Sequence, residues 1–169
     1  MHDFLGDEQL TTDQALIIVH AMWRVANIDQ GVHERERAMI QEFIRATAAE
    51  EGTSLNTIDD RSWDGEAARK ILDKTSLREL LVRSSFLVSF VDGKCSEKER
   101  ALIDQMASDL GITPSRRDEL ENDVKKSLLQ PFRSVETFRN VIYDVAKERL
   151  GLEPKEVDAL FASESAPAS

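Results

Sequence analysis

One ten-residue stretch occurs twice in this chain, and it limits the possible folds more than any other feature. The first copy, IDQGVHERER, runs from Ile28 to Arg37, and the second, VDGKCSEKER, runs from Val91 to Arg100. At a constant offset of 63 residues, positions 25–40 and 88–103 share seven identities in sixteen positions. Each copy follows an apolar segment and precedes an amphipathic one. The sequence therefore predicts an internal duplication of a helix pair joined by a turn.

The segments on the two sides of each copy have different patterns. Residues 12–28 and 80–91 are apolar on nearly every side of a helix, which is typical of a helix buried all round. Residues 33–49 and 97–110 carry one apolar stripe and one charged face, as expected for helices packed on one side. No stretch alternates like a half-buried strand. The prediction is an all-α fold of seven to eight helices in a single bundle-like domain, with a pseudo-twofold relating the repeated halves.

Capping patterns and composition give the expected boundaries. A flexible lead-in is expected at 1–11 and a disordered tail at 163–169, with the helical domain at 12–162 and its repeat halves at about 12–50 and 76–111. Three spacings predict capping boxes at helix starts: Thr11 with Gln14, Ser76 with Glu79, and Ser96 with Glu99.

Net charge and cysteine content indicate which partners and which cellular compartment to expect. The net charge is −10, from 32 acidic and 22 basic residues, and such a balance argues against nucleic acid, whose phosphates need a concentrated basic surface. The single cysteine, Cys95, fits a reducing compartment, and its alignment with Val32 indicates a small core residue. The N-terminus lacks the layout of a signal peptide, and no apolar run has the roughly 20 residues of a membrane span. The expected location is the cytoplasm, with no transmembrane segment.

The acidic residues of the two turns are the candidate ligands. Asp92 and Glu99 bring two carboxylates to one side of the second turn, and Asp29 and Glu36 would supply two more if the halves face each other. Four converging carboxylates would attract a hard divalent cation such as Ca²⁺ or Mg²⁺. The alternative is structural, since a glycine allows each tight turn and acids in a first helical turn cap it and suit its dipole.

Other metal and catalytic patterns do not occur in the sequence. Lys94 and Ile103 stand where an EF-hand needs oxygen ligands, and the three histidines lack the spacing of a zinc site. A glycine-rich phosphate loop, a nucleophile elbow and a Cys–His pairing are also missing. The expected protein is therefore not an enzyme.

The second turn resembles a known family. Asp92 to Glu99, DGKCSEKE, resembles the A-D-G-x-[VI]-[ST]-x-x-E signature of the tellurite-resistance TerB-like domains, and residues 28–36 resemble it in the paired first position. The L-G-[IL]-x-P junctions at 110–114 and 150–154 fit as well. The resemblance covers about residues 12–150. It implies an all-helical fold with two repeated halves, a role in a bacterial tellurite, metal or general stress response, and metal binding by the four acids named above.

Two functional hypotheses follow. In the first, the protein is a non-enzymatic acidic domain of TerB-like type whose paired Asp/Glu turns bind a divalent cation. In the second, it is a helical protein–protein interaction module with no metal, and its acidic turns are structural caps. A groove between helices would then dock a protein partner, with the inner membrane as one expected place.

Overall fold

The structure is a computed structural model that describes residues 9–29, 31–47, 49, 53–54, 58, 62–91, 93–133 and 139–162, with the backbone alone at 131–133 and 139–141. These residues form eight helices and no strand, which confirms the predicted all-α class. The helices are α1 (Thr12–Asn27), α2 (Glu34–Ala46), α3 (Gly65–Ile71), α4 (Thr75–Phe90), α5 (Glu97–Asp109), α6 (Pro114–Arg133), α7 (Arg139–Val145, continued by a π-helical turn, Ala146–Leu150) and α8 (Pro154–Ala162). The predicted tail and residues 1–8 of the lead-in lie outside the described residues.

Helices α1 and α4 form the centre of the domain. Their mutual contact is the most extensive between any two described helices, and α4 also packs against α2, α5 and α6. Eleven of the sixteen residues of α4 are buried, so its nearly continuous apolar sequence reflects neighbours on most sides. Within the described part of the chain, no helix is long and apolar enough to cross a membrane.

The sequence repeat corresponds to a repeat of helix bounds and contacts. Each of the four bounds of α1 and α2 lies 63 residues before the corresponding bound of α4 and α5. The Arg37 guanidinium lies 5.5 Å from the centroid of the Trp23 ring. At the corresponding positions, the Arg100 guanidinium lies 5.8 Å from the centroid of the Phe86 ring. The same cation–π contact therefore joins both helix pairs, while the pseudo-twofold axis stays a prediction.

Two of the three predicted capping boxes are confirmed, at the starts of α1 and α5. The third, predicted at Ser76, is wrong, because α4 begins one residue earlier, at Thr75. The Glu79 carboxylate instead accepts two hydrogen bonds from the Arg116 guanidinium of α6, both of 2.8 Å. A paired guanidinium is a stronger partner than a backbone N–H, so the acid joins α4 to α6.

Helix α3 is anchored by a close contact with α5. The Trp63 indole N–H donates a 2.8 Å hydrogen bond to the Asp109 carboxylate, and the indole packs against the core. A Cβ atom at Gly65 would lie 2.5 Å from the Asp109 Cβ atom. Only glycine therefore lets the start of α3 approach α5 so closely.

The buried serines of α4 give a test of this packing. The Ser84 and Ser85 hydroxyls are fully buried and have no hydrogen-bond partner among the described residues. We expect Ser84→Ala to raise the free energy of unfolding by about 1 kcal/mol, because alanine removes an unpaired buried hydroxyl and favours the helix. Urea denaturation measures this change.

The matched control is Ser89→Ala, on the same helix and equally buried, whose hydroxyl donates a 2.9 Å hydrogen bond to the Phe86 carbonyl. We expect this variant to be no more stable than the wild type. A loss of stability in Ser84→Ala as large as or larger than that in Ser89→Ala would show that the Ser84 hydroxyl is paired in solution.

Candidate functional site

The two acidic turns meet in the structure. The α1–α2 turn places the Asp29 carboxylate 3.2 Å from the Lys98 ammonium, which belongs to the first turn of α5. Asp29 also accepts a hydrogen bond from the Ser96 side chain, the residue that caps α5. The turns are therefore neighbours, and a carboxylate from one turn is held by a cation and a hydroxyl from the other.

Each turn uses a glycine in a left-handed backbone conformation. Gly31 has a φ of 138° and Gly93 a φ of 154°, values that side chains with a Cβ atom rarely adopt. At the 63-residue offset the two glycines differ by one position, since Gly31 aligns with Lys94. The two turns thus make the same kind of bend with the glycine displaced by one residue.

The two glutamates of the predicted site are used by the helices that they begin. The Glu99 carboxylate accepts a 2.6 Å hydrogen bond from the Ser96 backbone N–H, and the Ser96 hydroxyl accepts one of 3.1 Å from the Glu99 N–H. In the first turn, the Glu36 carboxylate accepts a 2.7 Å bond from the His33 N–H. Glu36 is 2% exposed and Glu99 7%, so both carboxylates are buried where they cap. Burial, backbone N–H donors and the helix dipole together explain both acids without a ligand.

Asp29 differs from the glutamates because it is open to solvent. The hydrogen bond from Ser96, followed by the hydrogen bond and the charge of Lys98, lowers the pKa of its carboxyl group below the usual value. The side chains of Asp29 and Lys98 are 43% and 65% exposed, so water and salt screen this pair. The contact therefore contributes little to the stability of the fold. Its main effect is to fix which faces of the two turns are in contact.

The structure brings three of the four predicted ligands to the joined turns. Asp29, Glu36 and Glu99 lie where described above, and Asp92 lies outside the described residues. Across the described ranges, no group of three or more His, Cys, Asp or Glu side chains is arranged to hold a metal ion. The cation site thus stays a prediction.

A buried ionic cluster lies between α5 and α6, and it was not predicted from the sequence. The Arg100 guanidinium donates hydrogen bonds of 2.8 and 2.5 Å to the two oxygens of the Glu121 carboxylate, and the Lys125 ammonium lies 2.8 Å from one of them. Glu121 is only 5% exposed, and the Lys125 ammonium also lies 5.5 Å from the Phe90 ring centroid. The i,i+4 spacing of Glu121 and Lys125 was the only signal in the sequence. It does not identify a buried pair, because Glu–Lys pairs with this spacing also occur on solvent-exposed helix faces.

Electrostatics favour the ionised form of Glu121. Burial alone raises the pKa of this carboxyl group, but the hydrogen bonds and charges of Arg100 and Lys125 outweigh burial and lower it. The same carboxylate raises the pKa of Arg100 above its usual value. The Glu121 carboxylate and the Arg100 guanidinium therefore stay charged at neutral pH and hold α5 against α6.

Cys95 is a packing residue in the second turn. Its side chain is half-buried against the core, and its thiol lies 3.7 Å from the Ser96 carbonyl oxygen. Burial raises the pKa of the thiol, which keeps it protonated at neutral pH and poorly nucleophilic. This agrees with the prediction of a small core residue.

Comparisons of the chain with protein-family models, with curated proteins and with solved structures find no match. The resemblance to the TerB-like domains therefore rests on the residues of the two turns and on the L-G-[IL]-x-P junctions at 110–114 and 150–154.

The cap at the second turn can be tested by removing one hydroxyl. We expect Ser96→Ala to lower the free energy of unfolding by about 1 kcal/mol, because the N–H of Glu99 loses its acceptor. The same change removes the hydroxyl bound to Asp29. Thermal and urea denaturation measure the loss, with Ser108→Ala on the exposed face of α5 as the control. Equal stability of the two variants would contradict a stabilising cap.

The ionic cluster predicts a pH dependence. The pKa of Glu121 is lower in the folded chain than in the unfolded chain, where a Glu carboxyl group has a pKa of about 4.3. Ionisation of such a group stabilises the fold above the unfolded-state pKa. The stabilisation is lost as the pH falls through the pKa of the folded state. We expect Glu121→Gln to cost about 3 kcal/mol at pH 7, because it leaves two cations without their partner. The difference from the wild type should shrink as the pH falls from 5 to 3.

Urea denaturation between pH 3 and pH 7 measures the free energy of unfolding of the wild type and of Glu121→Gln. Asp123→Asn, an exposed neighbour on α6, is the control and should follow the wild type at each pH. A deficit of Glu121→Gln that stays constant over the whole range would mean that Glu121 does not titrate as this geometry requires.

Proposed function

We propose that the protein is a non-enzymatic helical interaction module, and that its two acidic turns are structural. The observation that carries this proposal is the use of Glu36 and Glu99, each of which caps its own helix through a backbone N–H. The exposed Asp29 pairs with Lys98 across the turns. Three of the four acids of the predicted cation site, Asp29, Glu36 and Glu99, therefore already have partners within the protein, and the contact between the turns fixes the relative position of the two helix pairs.

A divalent cation at the turns is the second candidate, in line with the TerB-like resemblance. It is supported by one observation, namely that the turns are neighbours and that Asp29 is solvent-exposed at their junction. Binding would require two changes. The Lys98 ammonium would have to leave Asp29, and Glu36 or Glu99, whose residues are only 2% and 7% exposed, would have to present to the ion an oxygen beside the one that accepts the backbone N–H.

The location and biological context are part of the same proposal. The resemblance of the turns supports a role in a bacterial stress response, and the single cysteine supports a reducing, cytoplasmic environment. In that setting the module would act by holding a protein partner.

A divalent-ion titration separates the two candidates. A site at a hundred times its dissociation constant adds about 2.7 kcal/mol, which would raise the melting temperature of a domain of this size by roughly 5–10 °C. We expect millimolar Ca²⁺, Mg²⁺ or Mn²⁺ to leave the melting temperature within about 1 °C of its value in EDTA at matched ionic strength.

The control is a variant with Asp29→Asn and Asp92→Asn, which lowers the local negative charge and leaves both capping glutamates in place. A saturable rise in the wild type that this variant loses would establish the cation site and overturn the structural role of the turns. A rise of equal size in both proteins would indicate screening of the charge of −10.

A further inference from the structure

The second acidic turn contacts the junction between α7 and α8 through Lys94. The Lys94 side chain lies across the backbone of Gly151, because a Cβ atom at this glycine would lie 2.7 Å from Cδ and 2.9 Å from Cγ of Lys94. Carbon atoms in contact are normally about 3.5–4.0 Å apart. The aliphatic part of Lys94 therefore occupies the space that any other residue at position 151 would need, while the residue as a whole remains exposed.

Gly151 has the backbone of a pivot for α8. It ends the π-helical turn in a left-handed conformation, with a φ of 63°. Its N–H donates a 3.2 Å hydrogen bond to the Lys147 carbonyl, and the Leu152 N–H donates one of 3.0 Å to the Ala146 carbonyl. Helix α8 begins three residues later, at Pro154. A glycine in a short connection between two helices absorbs a backbone rotation more easily than any other residue.

The first L-G-[IL]-x-P junction has the same kind of cover. Gly111 has a φ of 78°, and a Cβ atom there would lie 3.3 Å from Nη2 of Arg69. In both junctions, a basic side chain from another part of the chain thus lies over the left-handed glycine. A cation at the C-terminal end of a helix interacts favourably with the last carbonyl groups and with the helix dipole. The recurrence indicates that both covers stabilise the junctions beneath them.

The helices that follow the two junctions differ in how firmly they are packed. Helix α6 has 20 residues and packs against α4, α5 and α7. Helix α8 has nine residues, of which Val157 and Leu160 are buried. Among the described elements it packs mainly on α6 and on the π-helical turn, and a groove of about 300 Å³ separates part of it from α6. A short helix with few buried residues belongs to the least stable parts of a fold.

We propose that α8 is a hinged cover on α6, that it opens by rotation at Gly151, and that Lys94 of the second turn holds it closed. A rotation at Gly151 moves the backbone atoms on which the Lys94 side chain lies, so this contact is lost when α8 opens. The second turn therefore controls how often the covered part of α6 becomes accessible.

Opening of the cover breaks defined contacts and exposes a defined surface. It breaks the 2.8 Å hydrogen bond that the Tyr143 hydroxyl of α7 donates to the Asp158 carboxylate of α8. It also moves Val157 and Leu160 away from α6, which exposes their apolar side chains to solvent. The proposal goes beyond the interaction module and does not depend on what the turns bind, so it and the divalent-ion titration fail separately.

The test is native-state hydrogen exchange of the full-length protein, followed by NMR in EDTA. In the wild type we expect the backbone amides of 158–162 to exchange about tenfold or more faster than those of 81–88 in α4, after correction for sequence, because α8 opens without global unfolding. Lys94→Ala should accelerate exchange in 158–162 by about twofold to fivefold, the range for loss of a cation at a helix C-terminus.

The matched control is Lys98→Ala, which removes an exposed lysine of the same turn that pairs with Asp29 and not with the junction. We expect it to leave exchange in 158–162 unchanged. Equal exchange of 158–162 and 81–88 in the wild type would show that α8 does not open by itself and would overturn the proposal. Equal effects of the two lysine variants on 158–162 would overturn the role of Lys94.

A second variant tests the contact itself. Gly151→Ala introduces the Cβ atom that displaces Lys94 and also strains the left-handed backbone, so it should accelerate exchange in 158–162 more than Lys94→Ala does. In the Lys94→Ala background the added effect of Gly151→Ala should be smaller, because the new Cβ atom no longer meets the lysine. An effect of the same size in both backgrounds would contradict the cover at Gly151.

Discussion

The packing of α1 against α4 is the contact on which the other helices depend. Both helices are apolar on most sides, so each needs neighbours all round to remove that surface from water. Helices α2 and α5 each contact both α1 and α4, and α6 covers a further side of α4. The amphipathic helices therefore form an outer layer around a central pair. This arrangement also decides where the two turns lie, because each turn joins a central helix to an outer one.

The chemistry of the acidic turns follows from this arrangement. A helix that starts at a tight turn has backbone N–H groups without intrahelical partners, and here those N–H groups are partly buried. A glutamate three residues after the cap meets this need, which accounts for Glu36 and Glu99 in both copies. A cation is therefore not needed to explain why two carboxylates are buried at these positions. Asp29 lies where it can reach the other turn, and its partner there is a lysine.

The sequence predicted the features that depend on local chemistry. The period of apolar residues predicted the central and outer helices, and Ser96 with Glu99 predicted the start of α5. The meeting of the turns was a condition of the cation hypothesis that the spacing could not show, and the structure places the turns together at Asp29 and Lys98. The sequence pattern could not predict which partner an acidic side chain binds when several donors are within reach. Glu79 has the spacing of a capping residue, yet it pairs with Arg116, which is 37 residues away in the chain.

The ionic cluster was missed for the same physical reason. Glu121 looks like one more acid on a charged helix, and only tertiary packing buries it beside Arg100. Sequence periodicity reports which face of a helix is apolar, but a polar residue at the edge of that face is either solvated or buried with a partner. The corresponding positions of the repeat give a partial clue, since Arg37 and Arg100 both contact an aromatic ring of the preceding helix.

The distribution of charge has a consequence for recognition. Several basic side chains are drawn into contacts between helices, such as Arg117 and Lys125, whose side chains are 16% and 15% exposed. Three acids, Glu36, Glu99 and Glu121, are drawn in as well, so the net charge of −10 is carried by the side chains that stay exposed. Against that background the field of most of the surface repels an acidic segment. Such repulsion selects against acidic partners, and it does so without any specific contact.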